Sequence, residues 1–209
     1  AVQQSAGRGK FATDWLRANP HRLHLGLVGL ILQKENGEEV KLNELTELNQ
    51  ELDLWTGKIE SSYRVDGNPV KVILYGHQEK DVISARIESP LISKSRLKIK
   101  LTFPYGKYCH VCPGYDWSQA ARHHSTIISS EPNSALIKRQ LDTTNYFANV
   151  TWSSGNIATD THPHTFIVNP AKNEAPFEFS VSFKRDSTFE NLSFESTRQN
   201  SIEHWKLFW

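Results

Sequence analysis

A chain of 209 residues can bury a sizeable core, and it is most simply one all-β domain, since sandwiches and barrels commonly run undivided to about 200–250 residues. Its 24 Lys and Arg balance 23 Asp and Glu to a formal charge of +1 with no run of like charges, so the electrostatic footprint of a nucleic-acid binder is missing. The longest strongly apolar run, Leu23 to Leu32, is half of the ~20 residues a helix needs to cross a bilayer, and no membrane partner is expected.

Residues 1–20 read as a polar arm. From residue 21 to 188 the sequence alternates with period two and is broken by turn residues at short intervals, the pattern of antiparallel strands. RLHLGLVGLIL predicts an apolar strand ending at ENGEE, where Asn36-Gly37 supplies the positive φ angles of a tight hairpin turn. LDLWTGKIESSYRVDG predicts one long strand region with Leu52, Leu54, Ile59, Tyr63 and Val65, irregular at Gly57 and turned at Asp66-Gly67. PVKVILYGH and DVISARIES give two more strands. In RLKIKLTFPYG, Leu97, Ile99, Leu101 and Phe103 alternate with Arg96, Lys98, Lys100 and Thr102, so one face is buried and the other wet. ALIKRQLDT, YFANVTWSS, HTFIVNP and PFEFSVSFKR add further strands, the last with Phe177, Phe179, Val181 and Phe183 on one face. Residues 189–209 lack Gly and Pro and place Ile202, Trp205 and Phe208 or Trp209 at helical spacing, so a helix is predicted to leave the sheet. About ten strands without intervening helices make a large antiparallel β-sandwich. The aromatic C-terminal end calls for a partner or a following domain to cover it.

KYCHVCPGYDWSQAARHH, residues 107–124, holds both cysteines. Cys109 and Cys112 make half of a tetrahedral zinc set, but the other half would be the adjacent His123 and His124, closer together than paired ligands sit, so no metal is expected. A thioredoxin-like role needs a βαβ setting that an all-β pattern lacks, and no cofactor is expected. The loop is then pinned by a short Cys109–Cys112 disulfide or carries two free thiols. It also brings together Tyr115, Asp116, Trp117 and Arg122. Aromatic faces beside a carboxylate and a guanidinium suit a sugar, whose ring offers C–H faces for stacking and hydroxyls for hydrogen bonds; an ordinary packing interface is the competing reading. Glycoside hydrolysis needs two carboxyl groups about 5–9 Å apart, and Asp53, Glu88, Asp116 and Asp160 offer no spacing that selects a pair, so no catalytic residue is assigned. Asn149-Val150-Thr151 and Asn191-Leu192-Ser193 satisfy the glycosylation triplet and lean toward a secreted or periplasmic setting. The chain opens on Ala1 and contains no Met, which reads as a processed or excised piece.

DWLRANPHRLHLGLVGL, LDLWTGKIESSY, ARIESPLI, RLKIKLTFPYG and the closing EHWKLFW resemble, in that order from about Phe11 to Trp209, the N-terminal super-sandwich region of bacterial and fungal six-hairpin glycosidases. The resemblance implies a sandwich that precedes an (α/α)6 barrel of the same protein, with the catalytic carboxylates in the barrel. A leading segment with a GNG motif, usual in the family, is absent, so the chain resembles a piece cut at both ends. After FPYG the family carries DW and then a His near a Thr, matched by Asp116, Trp117 and His123 or His124, whereas the Cys-x-x-Cys looks like a local elaboration. Carbohydrate contact is thereby expected at Tyr115, Asp116, Trp117, Arg122 and His123. The junction with the barrel is expected at Asn19, His21, Arg22, Trp205, Phe208 and Trp209, although Asn19-Pro20 also reads as a simple turn start with His21 and Arg22 on the surface. The expected role is a non-catalytic sandwich part of a glycoside hydrolase; the alternative is a free-standing carbohydrate-binding module or lectin-like domain.

Overall fold

A computed structural model describes residues 7–18, 23–107, 113–172 and 176–209. Asn19, His21, Arg22, Cys109 and Cys112 lie outside the described residues. In chain order the elements are α1 (Arg8–Ala18), β1 (Leu27–Leu32), β2 (Thr46–Asp53), β3 (Lys58–Val65), β4 (Asn68–Gly76), β5 (Val82–Glu88), β6 (Leu97–Thr102), β7 (Tyr105–Gly106), β8 (Tyr115–Asp116), β9 (His123–Glu131), β10 (Ser134–Leu141), β11 (Thr144–Trp152), β12 (Asn156–Thr159), β13 (Thr165–Asn169), β14 (Phe177–Lys184) and α2 (Phe194–Phe208).

Two antiparallel sheets carry the fold. One has eight strands in the order β2-β3-β4-β5-β14-β11-β10-β9 and the other has four in the order β1-β6-β13-β12, while β7 and β8 form a small ribbon beside them. Alternation decides which side chains meet: Ile99 and Leu101 of β6 and Phe166 and Val168 of β13 turn inward, opposite Ile87, Ile137, Val150, Phe177 and Val181 of the large sheet. Each large side chain buried this way stabilises the fold by roughly 1.5–3 kcal/mol. An all-β antiparallel sandwich with a C-terminal helix is therefore the observed architecture.

Several local expectations change. The N-terminal arm contains α1. Asn36-Gly37 does turn the chain, but only the isolated bridge Gln33–Glu39 follows it, because β1 takes β6 as its partner. The long region from Leu52 to Val65 is two strands, β2 and β3, joined by a turn in which Gly57 has φ +71°. Asp66 and Gly67 both take positive φ, 46° and 75°, as the predicted turn requires. Arg96, expected on the wet face, is buried, donating to the Gln33 carbonyl at 2.7 Å and the Asp66 carboxylate at 2.6 Å. β9 and β12 had no distinct signature in the sequence, being short of large apolar residues.

Helix α2 begins at Ser193, whose side chain accepts from the Ser196 N–H, and packs across β14, β5 and β4 on the outer face of the large sheet. Hydroxyls join it there: Ser84 Oγ lies 2.7 Å from Ser180 Oγ and 2.8 Å from Thr197 Oγ1, and Ser201 donates to the Thr56 carbonyl at 2.9 Å. The helix ends over the β2–β3 turn, where Gly57 has no room for a side chain: a Cβ would stand 2.4 Å from Trp205 Nε1 and 2.7 Å from Ser201 Oγ. Gly57→Ala is therefore expected to destabilise the chain by about 1–3 kcal/mol in urea unfolding. Gly37→Ala, at φ +87° but in open space, is expected to cost less.

Candidate functional site

β9 and β10 pair so that His123 stands opposite Leu141 and Ser125 opposite Arg139. Arg139 occupies a core position, fully buried, on the same strand face as Ala135, Ile137 and Leu141. Its guanidinium donates to neutral acceptors: Nη1 to His123 Nδ1 at 2.8 Å, to the His124 carbonyl and to Ser125 Oγ, Nη2 to the Pro104 carbonyl at 3.0 Å, and Nε to the Tyr146 hydroxyl at 3.3 Å. Among the described residues no carboxylate forms an ion pair with it. Its carbon centre sits 5.0 Å from the Phe103 ring centroid, an aromatic face that partly replaces a counter-charge. Tyr146 in turn donates to the Leu25 carbonyl at 2.6 Å.

This arrangement fixes two imidazoles. Arginine has no lone pair to offer, so His123 Nδ1 must be the acceptor and the ring hydrogen sits on Nε2. Ser125 Oγ takes a hydrogen from Arg139 and gives its own to His164 Nδ1 at 3.0 Å, leaving His164 Nε2–H to donate to the Ala120 carbonyl at 2.8 Å. The two rings stack with centroids 3.7 Å apart. His164 reaches this position from a left-handed backbone, φ +58°, in the turn between β12 and β13. Burial first, then the Arg139 charge and the neighbouring His164 and His124, push His123 down to about 4; burial lowers His164 as well.

Beside the stacked pair opens a cleft of about 490 Å³. It runs over the outer face of the four-stranded sheet, past Lys100, Thr102 and Thr165, and is closed by Trp117, His123, His164 and the Asp160–His162 turn. Trp117 is half exposed at its rim and lies 5.6 Å from the Tyr115 ring. Of the residues expected to touch carbohydrate, Trp117 and His123 line this cleft, whereas Tyr115, Asp116 and Arg122 are not among its walls. Asp116 is spent locally, accepting from the Ser118 hydroxyl and N–H, which hold its carboxyl below the usual range. Arg122 lies over the Tyr105 ring at 4.5 Å, within 3.8 Å of Asp142. Lys100, Asp160, His162 and His164 were missed; the only sequence cue was the close run Asp160, His162, His164 ahead of a strand. Groups of three or more potential metal ligands are absent among the described residues.

A second exposed cluster lies where α2 ends. Trp55 and Trp209 are 5.4 Å apart, Phe208 and Trp209 5.1 Å, and Trp205 and Phe208 5.3 Å. Trp209 Nε1 donates to the Leu54 carbonyl at 2.9 Å, which locks the helix end to the β2–β3 turn. Phe208 and Trp209 remain mostly exposed, and Trp55 joins them although its sequence gave no hint of a shared surface. At the triplets, Asn149 is buried in β11 and its Nδ2 donates to Asn191 Oδ1 at 3.1 Å, so that triplet is closed in the folded chain while Asn191 is exposed.

The histidine pair predicts how stability depends on pH. His123 binds its proton near 6.5 when unfolded and about 4 when folded, so between these values the unfolded chain holds more protons and stability falls as pH is lowered. The loss is expected to approach ~3 kcal/mol and to level off below about pH 4, with His164 adding in the same direction. Urea midpoints at pH 7, 5.5 and 4.5 check this, and a flat profile from pH 7 to 4.5 would contradict the assignment.

No family model and no curated protein matches the chain in sequence. Its fold matches solved structures. A protein described as a kojibiose phosphorylase from the human microbiome superposes with a TM-score of 0.57 at 13% identity, covering 89% of this chain and 28% of that one. A bacterial glucoamylase complexed with acarbose superposes with a TM-score of 0.57 at 9% identity, covering 87% of this chain and 31% of that one. The chain thus spans less than a third of either neighbour's length. The likeness is one of fold, and it agrees with the β-sandwich expected from the sequence.

Proposed function

We propose that this chain is the non-catalytic sandwich part of a carbohydrate-active glycoside hydrolase, packed on an (α/α)6 barrel and lending the region around Trp117 to the sugar. The fold shared with two much longer carbohydrate-active enzymes carries the reading. The exposed Trp55, Phe208 and Trp209 cluster supports the packing role, since an aromatic surface of this kind is typical of interfaces.

The carboxylates support the non-catalytic role. A general acid in glycoside hydrolysis needs a carboxyl whose pKa is raised. Asp53 is held low by the Thr56 hydroxyl and the Trp55 N–H, and Asp116 by Ser118. Burial pushes Asp160 up, but hydrogen bonds from Thr161 and His162 together outweigh it and keep it low. All three are therefore ionised bases of local turns rather than proton donors.

The chain alone is expected to turn over no nitrophenyl glycoside and no oligosaccharide. Robust turnover that disappears when one of its own carboxylates is replaced would overturn the reading. Phe208→Asp together with Trp209→Asp is expected to weaken association with a barrel domain by about tenfold or more. Native mass spectrometry of this chain mixed with a separately produced barrel domain reads that association, and undiminished binding would remove the aromatic cluster from the interface.

A further inference from the structure

We propose that the cleft on the outer face of the four-stranded sheet binds a neutral saccharide, held between the Trp117 ring and the Nε2–H of His123. The proposal deepens the carbohydrate reading above and rests on it for the class of ligand.

Three observations on separate elements converge. His123 is 3% exposed and lines the cleft, and no described residue accepts from its Nε2. Unlike fully buried orphan nitrogens such as Trp152 Nε1, it keeps an opening to the surface, and a ligand oxygen in the cleft can accept from it. Because Arg139 claims Nδ1, the ring cannot flip its tautomer, so His123 is a donor of fixed direction. Second, Trp117 is 46% exposed at the rim and offers a flat face for the C–H side of a pyranose. Third, the remaining polar walls are mixed: Lys100 donates, Asp160 and Glu39 accept, and Thr102 can do either.

The charge balance selects neutral over anionic ligands. Two carboxylates face one ammonium in the cleft, with the His162 imidazole 3.6 Å from Asp160, and both stacked imidazoles are kept uncharged by burial and by Arg139 behind them. A phosphate or carboxylate entering here meets Asp160 and Glu39, whereas sugar hydroxyls pair with both signs. At about 490 Å³ the cleft lies within the ~300–1,000 Å³ typical of small-molecule sites.

The test uses the full chain titrated with maltotriose, cellotriose and mannotriose, and separately with inorganic phosphate, followed by Trp fluorescence and by the proton bound to His123 Nε2 in NMR. At least one trisaccharide is expected to bind with Kd of about 1 mM or tighter and to shift the His123 signal. Trp117→Ala and Asp160→Asn, both at the surface of the fold, are each expected to weaken it about tenfold, while Trp55→Ala in the other aromatic cluster leaves it unchanged. Failure of all three sugars to bind, preferential binding of phosphate, or affinity indifferent to Trp117→Ala overturns the site. Those results leave the accessory-domain reading intact, because it is judged by association with the barrel and by the absence of turnover.

Discussion

A buried guanidinium with no carboxylate paired to it among the described residues organises this molecule. Arg139 stands on a core-facing position of β10 and reaches Pro104, just past β6 in the other sheet, as well as His123 and Ser125 on β9 and Tyr146 on β11. Through Tyr146 the same network holds Leu25, just before β1. Desolvating the charge costs several kcal/mol, and the charge-assisted hydrogen bonds, each worth roughly 1.5–3 kcal/mol, offset that cost only while all of them are made. Two sheets that meet mainly through non-directional apolar contacts are thereby fixed in one relative position at this corner, as the Arg96–Asp66 pair fixes them at the β3–β4 turn. The orientation of both stacked histidines, and so the wall of the cleft, follows from it.

Helix α2 shows the complementary strategy. Its contact with the large sheet is built from small hydroxyl residues, Ser84, Ser180, Thr197 and Ser201, with Phe194 packing on Tyr75 at 5.8 Å near its start. Little apolar area is buried along the middle of the helix, so hydrogen-bond geometry sets its direction. The aromatic residues at its end are left for the surface, packed edge-on against one another and tied to the β2–β3 turn.

Most of the sandwich was legible because alternation reports burial directly: β6 and β14 read correctly from Leu97, Ile99 and Leu101 and from Phe177, Phe179 and Val181. Pairing was less legible, since the Asn36-Gly37 turn suggested a neighbour for β1 that β6 displaced. β9, with Ser125, Ser129 and Ser130 among its residues, carries no apolar face strong enough to announce itself. Half of the site was in view. Trp117 and His123 were singled out by a loop rich in aromatic and polar groups, but Asp160, His162 and His164 come from a hairpin nearly forty residues away, and only the sheet register brings them to the same cleft. The cue for Arg139 was present in ALIKRQL: a cation on the parity of Ala135, Ile137 and Leu141. The serines on the outer faces of β5 and β14 held a similar cue, small polar residues where a wet face usually carries charge.

The large sheet is also sheared. Tyr75, Ser84, Ser180, Thr151 and Ser134 stand in one row across five strands, and the β2–β3 turn lies just beyond that row. His123 and Leu141 lie on the same side of the row but at the far end of β10. At ~3.3 Å per residue along a strand and ~4.8 Å between strands, the aromatic end of α2 and the histidine corner are on the order of 30 Å apart over the sheet surface. They occupy two corners at the same slanted end of the sheet, one at each edge. A partner that touches both at once must reach about 30 Å, the length of a 20-residue helix or the diameter of a small domain.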